Sequence, residues 1–126
     1  MKKIFFFSGV ILLVAGLAVT PAFGGDLSLN IKGYRCVDEG VLIRYSITNE
    51  RNFDRNNVYV LFKVLVDGKP LACREIKTFV PKGADGSQIE EVILESQCEG
   101  KSFKLVSAII QNTARYKIEE WFSGCP

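Results

Sequence analysis

Val58-Tyr59-Val60-Leu61-Phe62-Lys63-Val64-Leu65-Val66-Asp67-Gly68-Lys69-Pro70 is the stretch that decides the fold. Val58, Val60, Phe62, Val64 and Val66 alternate with Tyr59, Leu61, Lys63 and Leu65, so both faces of an extended segment are apolar except at Lys63. A strand with two apolar faces is covered on both and belongs in the middle of a sheet. Asp67-Gly68 follows at once and supplies the positive φ values of a tight turn, which predicts that residues 71–80 return antiparallel. The face carrying Tyr59, Leu61 and Leu65 then needs a cover: the domain's second layer, the C-terminal segment or another chain.

Working outward, the dominant period stays at two. Val41, Ile43, Tyr45 and Ile47 alternate with Leu42, Arg44, Ser46 and Thr48, the pattern of a strand that buries one face. Residues 27–36 form a first strand with Leu27, Leu29 and Ile31 on one side. Pro81-Lys82-Gly83-Ala84-Asp85-Gly86-Ser87 is a loop by composition, and residues 88–95 and 102–110 supply two further strands. The C-terminal segment fits either a last strand, with Tyr116, Ile118 and Phe122 on one face, or a short helix with Ala114, Ile118, Trp121 and Phe122 in a stripe. A hairpin through Asn112-Thr113 would give Ile109 and Ile110 a neighbour, which favours the strand. The expected architecture is all-β, a two-layer antiparallel sandwich of about seven strands.

The chain opens with Lys2 and Lys3, an uncharged run over residues 4–19, and then Thr20-Pro21-Ala22-Phe23-Gly24. Basic, apolar and small residues in that order predict a secretory signal over residues 1–22, with cleavage after Ala22 or after Gly24. The competing reading is an uncleaved anchor, since a helix over residues 4–23 would reach about 30 Å. Pro21 and the small residues around it favour cleavage, and no cysteine stands at either new terminus to take a lipid. The expected mature chain, 23–126, is a single extracytoplasmic domain, periplasmic or secreted, with no stable membrane span. Lys2 and Lys3 are the only charges before Asp26, so 14 basic residues face 14 acidic ones in the mature part. A balance near zero gives no support to a nucleic-acid partner.

Cys36, Cys73, Cys98 and Cys125 are an even set in a compartment where disulfides persist, which predicts two bridges. Three pairings are possible. If the strands flanking residues 81–87 form a hairpin centred near Ala84, Cys73 falls opposite a position close to Cys98, within a few residues of register slippage, leaving Cys36 to join Cys125. Gaps of 37, 25 and 27 positions contain no Cys-x-x-Cys, so neither a thioredoxin-like centre nor haem attachment is indicated. With no histidine, a zinc site would have to be a four-thiolate cluster without paired spacing.

Enzymatic chemistry is disfavoured by the same inventory. No histidine means no Ser-His or Cys-His nucleophile, and neither a Gly-x-Ser-x-Gly elbow nor a phosphate-binding Gly-rich loop is present. Asp38-Glu39, Glu90-Glu91 and Glu119-Glu120 are carboxylate pairs, but adjacent residues of a strand point to opposite faces and do not converge on one substrate. No catalytic residue, metal or cofactor is therefore expected. The candidate for binding is Asn49-Glu50-Arg51-Asn52-Phe53-Asp54-Arg55-Asn56-Asn57, a polar loop that carries Phe53 between Arg51 and Arg55. Aromatic and arginine side chains together are the composition of interface hot spots. The plain alternative is that Phe53 tucks into the end of the sandwich.

From Val41 to Val80 the order is strand, Thr48-Asn49, polar loop, long apolar strand, Asp67-Gly68-Lys69 and return strand. This third of the chain resembles the small immunoglobulin-like modules of exported bacterial proteins, including the FxLYD type. The chain reads Phe62-Lys63-Val64-Leu65-Val66-Asp67 where that type carries Phe-x-Leu-Tyr-Asp, and its four cysteines depart further, so no functional residue carries over. The resemblance implies an immunoglobulin-like sandwich outside the cytoplasm that binds or supports a protein or another envelope component. Two alternatives stand beside that non-enzymatic module. A secreted effector or inhibitor would form a one-to-one complex with its target, and a thiol-based redox or carrier protein would need exchangeable thiols.

Overall fold

The structure, a computed structural model, describes residues 26–126. The expected signal over residues 1–22 and both cleavage positions lie outside the described residues. Six strands and one helix follow in order: β1 (Leu27–Val37), β2 (Gly40–Asn49), β3 (Arg55–Val66), β4 (Lys69–Val80), β5 (Glu90–Glu95), β6 (Lys104–Gln111) and α1 (Arg115–Trp121). Two three-stranded antiparallel sheets result, ordered β1-β2-β5 and β4-β3-β6. The described residues are thus all-β apart from α1, with six strands among them where about seven were expected.

β3 is the central strand of its sheet, as its two apolar faces require. Its inward residues Val58, Val60, Phe62 and Val64 meet Val41, Ile43 and Tyr45 of β2 in one core between the sheets, and the Tyr45 and Phe62 rings lie 5.2 Å apart. The Asp67-Gly68 turn forms with φ of 53° and 79° and brings β4 back antiparallel, pairing Val66 with Lys69. The antiparallel return is the expected one, but β3 begins at Arg55, inside the expected loop 49–57, and the pairing carries register shifts between Arg55 and Val58 and between Val64 and Leu65.

Three expectations need correction. The C-terminal segment is the helix α1 and not a last strand. It lies on the outer face of the β4-β3-β6 sheet, where Ile118 closes a second cluster with Leu61, Ala108 and Ile110, flanked by Tyr59, Trp121 and Phe122. The apolar second face of β3 therefore has its cover within the chain. Ile109 and Ile110 find their neighbour in β3, opposite Val60 and Tyr59.

The strands flanking residues 81–87 are not a hairpin. β4 pairs with β3, whereas β5 pairs with β2 in the other sheet, so this loop crosses between layers. The cysteines consequently pair as Cys36–Cys98 and Cys73–Cys125, in place of Cys73–Cys98 and Cys36–Cys125.

A β-bulge explains how Cys36 reaches its partner. Leu29 and Ile31 stand opposite Ile47 and Tyr45, but the register shifts between Ile31 and Gly33, after which Tyr34 and Cys36 stand opposite Ile43 and Val41. The extra residue reverses the alternation. Cys36 turns to the core, where it packs partly buried, and Cys98 is 2% exposed. No helix among the described residues is long and apolar enough to cross a membrane.

Candidate functional site

One end of the molecule gathers the start of β1, the β2–β3 loop and the β4–β5 crossover. Asn49, the last residue of β2, organises it. Its side chain is buried, and its amide nitrogen reaches the carbonyl oxygens of Phe53 at 3.0 Å and Pro81 at 3.2 Å, while its Oδ1 accepts the Arg51 N–H at 3.0 Å. An Asn at this position thus replaces the backbone ladder that ends with the strand and ties two loops together. Backbone bonds from Glu50 N–H to Asp26 and from Asn49 N–H to Ala84, and the Lys82 N–H donated to Asp54 Oδ1, complete the frame.

On this frame Phe53 is 51% exposed and does not tuck into the core. The guanidinium of Arg55 lies 5.3 Å from its ring centroid and that of Arg51 6.0 Å, both within cation–π range. The two arginines are otherwise unlike. Arg51 stays at the surface and pairs with the Asp26 carboxylate, whereas Arg55 is buried at the first position of β3 and donates to Gln111 Oε1 at the end of β6. Gln111 in turn donates to the Asn56 carbonyl. Of the three residues the sequence singled out, Arg51 and Phe53 face solvent, and Arg55 is their internal support.

The crossover loop is held as firmly. Ala84 N–H bonds back to Pro81, and Asp85 forms a bridge with Thr48. Gly86 has φ of +86° and sits where an added Cβ would be 2.8 Å from Thr48 Oγ1 and 3.2 Å from Asn30 Nδ2. Only glycine fits that approach without displacing the Asn30, Ser46 and Thr48 hydrogen bonds. Beside it, the hydroxyl and N–H of Ser87 donate to Asp85 and hold its carboxyl below the usual aspartate value.

Phe79, 53% exposed, is a further aromatic at this end that the sequence reading passed over. It precedes Val80, which pairs with Arg55. The signal was available, because the alternation that turns Ala72 and Val80 inward turns Phe79 outward. The carboxylate pair Glu90-Glu91 lies in β5 opposite Tyr45 and Arg44, on opposite faces, with Glu91 3.3 Å from Arg44 Nε. Among the described residues no group of three or more carboxylates or thiols is placed to hold a metal ion.

Because one buried amide joins both loops, Asn49→Ala is expected to destabilise the fold by about 1–3 kcal/mol, the cost of stranding the groups it satisfies. Faster amide exchange confined to residues 50–54 and 80–85, measured by NMR or mass spectrometry, is the accompanying signature. Unchanged exchange there would show that the loops hold without it.

Compared with protein-family models, with curated proteins and with solved structures, the chain matches none.

Proposed function

We propose that this protein is an exported, non-enzymatic binding or structural module of the cell envelope, an immunoglobulin-like sandwich that engages a protein or another envelope component through Arg51 and Phe53. The observation that carries the proposal is Phe53 itself. A large aromatic side chain stands half in solvent on a loop whose carbonyl is fixed by buried Asn49 and whose ring is backed by buried Arg55. The exposed half of the ring gains nothing from water, and its two cation–π contacts are worth only about 0.5–1 kcal/mol each within the monomer. The same arrangement serves association, because a fixed aromatic anchor loses little conformational entropy on binding. Two bridges and no free cysteine among the described residues are consistent with an oxidising compartment.

The test is a double variant, Arg51→Ala with Phe53→Ala, with Arg55 left in place because its removal would empty a buried position. Immobilised wild-type and variant domains are exposed to envelope extract, and folding is checked by circular dichroism. A specific partner is expected to lose at least about tenfold in capture, since truncating one hot-spot residue costs about 2 kcal/mol. An unchanged capture profile from a folded variant removes the loop from consideration. A one-to-one complex that blocks an enzyme's activity would instead mark the same loop as inhibitory.

A further inference from the structure

The two disulfides serve separate cores. Cys98 is buried in the inter-sheet core and Cys36 packs against it. Cys73 and Cys125 are both partly exposed, and their bridge ties the end of the C-terminal segment to β4. What that bridge holds down is α1, whose buried residue Ile118 covers Leu61, Ala108 and Ile110 in a cluster distinct from the main core.

By itself α1 has little reason to persist. It is seven residues long, with no side-chain N-cap, no acidic residue in its first turn and no basic residue in its last. Helices this short are unstable in water, and Arg115 at its start and Glu119-Glu120 near its end oppose the helix dipole. Within the helix there is one exposed i,i+4 pair, Arg115 with Glu119 at 3.9 Å, and the stronger supports are external: Arg115 with Glu75 at 2.6 Å, Lys63 Nζ donating to the Trp121 carbonyl at 2.7 Å, and the Cys73–Cys125 bond. A cleft of about 380 Å³, lined by Cys73, Arg74, Ile93 and Pro126 among others, opens beside that bond and gives a route to it.

We propose that Cys73–Cys125 is a thiol–disulfide exchange site for a dithiol reductant, and that its opening releases α1 from the sheet while the inter-sheet core and Cys36–Cys98 stay intact. A thiolate of the dithiol attacks Cys73 Sγ, the half of the bond that lines the cleft, forms a mixed disulfide and expels the Cys125 thiolate, which takes up a proton. The reductant's second thiol then displaces Cys73, which takes up a proton in turn, and closes its own disulfide. Two electrons and two protons pass from the dithiol to the protein. Release uncovers Leu61, Ala108 and Ile110, an apolar surface that the oxidised chain conceals.

Trp121 is the chain's single tryptophan, 4.4 Å from Lys63 Nζ and in edge contact with Phe122, so its emission reports on α1. The oxidised protein is titrated with dithiothreitol under native conditions, with alkylation and mass spectrometry to identify the thiols. Cys73 and Cys125 are expected to be alkylated first, with a red shift of Trp121 emission, amide exchange in α1 faster by at least about tenfold and an unchanged β-sheet circular dichroism signal. Equal alkylation of Cys36 and Cys98, or alkylation of Cys73 and Cys125 with Trp121 and the α1 amides unmoved, overturns the proposal. The double variant Cys73→Ser with Cys125→Ser provides the second reading at room temperature. It is expected to keep its sheet signal with Trp121 already red-shifted, and a variant that fails to fold overturns the independence of the two cores.

Discussion

Complete reduction of both disulfides is expected to unfold the domain near body temperature. Cys36–Cys98 spans 62 positions and Cys73–Cys125 spans 52. In the chain-entropy model, loops of that length contribute about 4 kcal/mol each by restricting the unfolded chain. Domains of this size keep a net stability of about 5–15 kcal/mol, so losing both contributions leaves little. Loss of one leaves a positive balance, which is why the inter-sheet core survives opening of Cys73–Cys125 alone. The measurement is thermal unfolding by circular dichroism with and without strong reductant, cysteines alkylated at the end to prove reduction. A melting curve unchanged in fully reduced protein would assign the stability to packing alone.

Gly40→Ala is expected to destabilise the domain by at least about 3 kcal/mol, combining unfavourable backbone conformation with steric displacement in the core. Gly40 opens β2 with φ of +154° and stands opposite Glu95 of β5. A Cβ there would overlap the Leu94 carbonyl oxygen and lie 2.9 Å from Glu95 Cα, and both obstacles are backbone. Relief requires β5 to move away from β2, and Leu94, 1% exposed in the core, moves with it. Cys98 Sγ is 3.3 Å from the Gly40 carbonyl oxygen, so the nearby bridge is disturbed as well. Urea titration of the variant measures the effect. By contrast, Gly83→Ala, at a position where an added Cβ meets nothing within 4 Å, carries only the strain of its φ of +81°. Equal losses at the two sites would refute the steric account.

What the sequence made legible was local. The two-faced apolar run of β3 and the Asp67-Gly68 turn determine their hairpin without reference to anything distant. The stripe of Ile118, Trp121 and Phe122 matched the helix that covers Leu61. The C-terminal segment was the harder case, because seven residues satisfy either period. Less legible were the events that link layers. No local signal marks the 81–87 loop as a crossover, since its composition equally suits a hairpin, and a bulge of one residue at Lys32 reversed which face Cys36 presents. Both bear on the cysteine pairing, which depends on the layer each strand joins and the face each cysteine takes.

The candidate site divides in the same way. Phe53 is exposed because its neighbours in sequence are polar and its loop is fixed by Asn49. Arg55 is buried because Gln111, 56 positions away, waits to receive it. An arginine beside a loop reads as a surface residue until the strand that covers it is in place. Phe79 is readable from alternation alone, since it lies between inward-facing positions of β4, but no polar loop around it marks it as part of a site.

The pairing of first cysteine with third and second with fourth has a consequence for biogenesis. A chain oxidised in the order it emerges would join neighbours first, Cys36 to Cys73 and Cys98 to Cys125. The first of those bonds would tie β1 to β4, strands that end in different sheets. Native bridges therefore follow from folding that precedes oxidation, or from isomerisation afterwards, a process of seconds to hours that depends on a catalyst. Where oxidation outruns folding, yield should accordingly track the host's disulfide isomerase more closely than its oxidant.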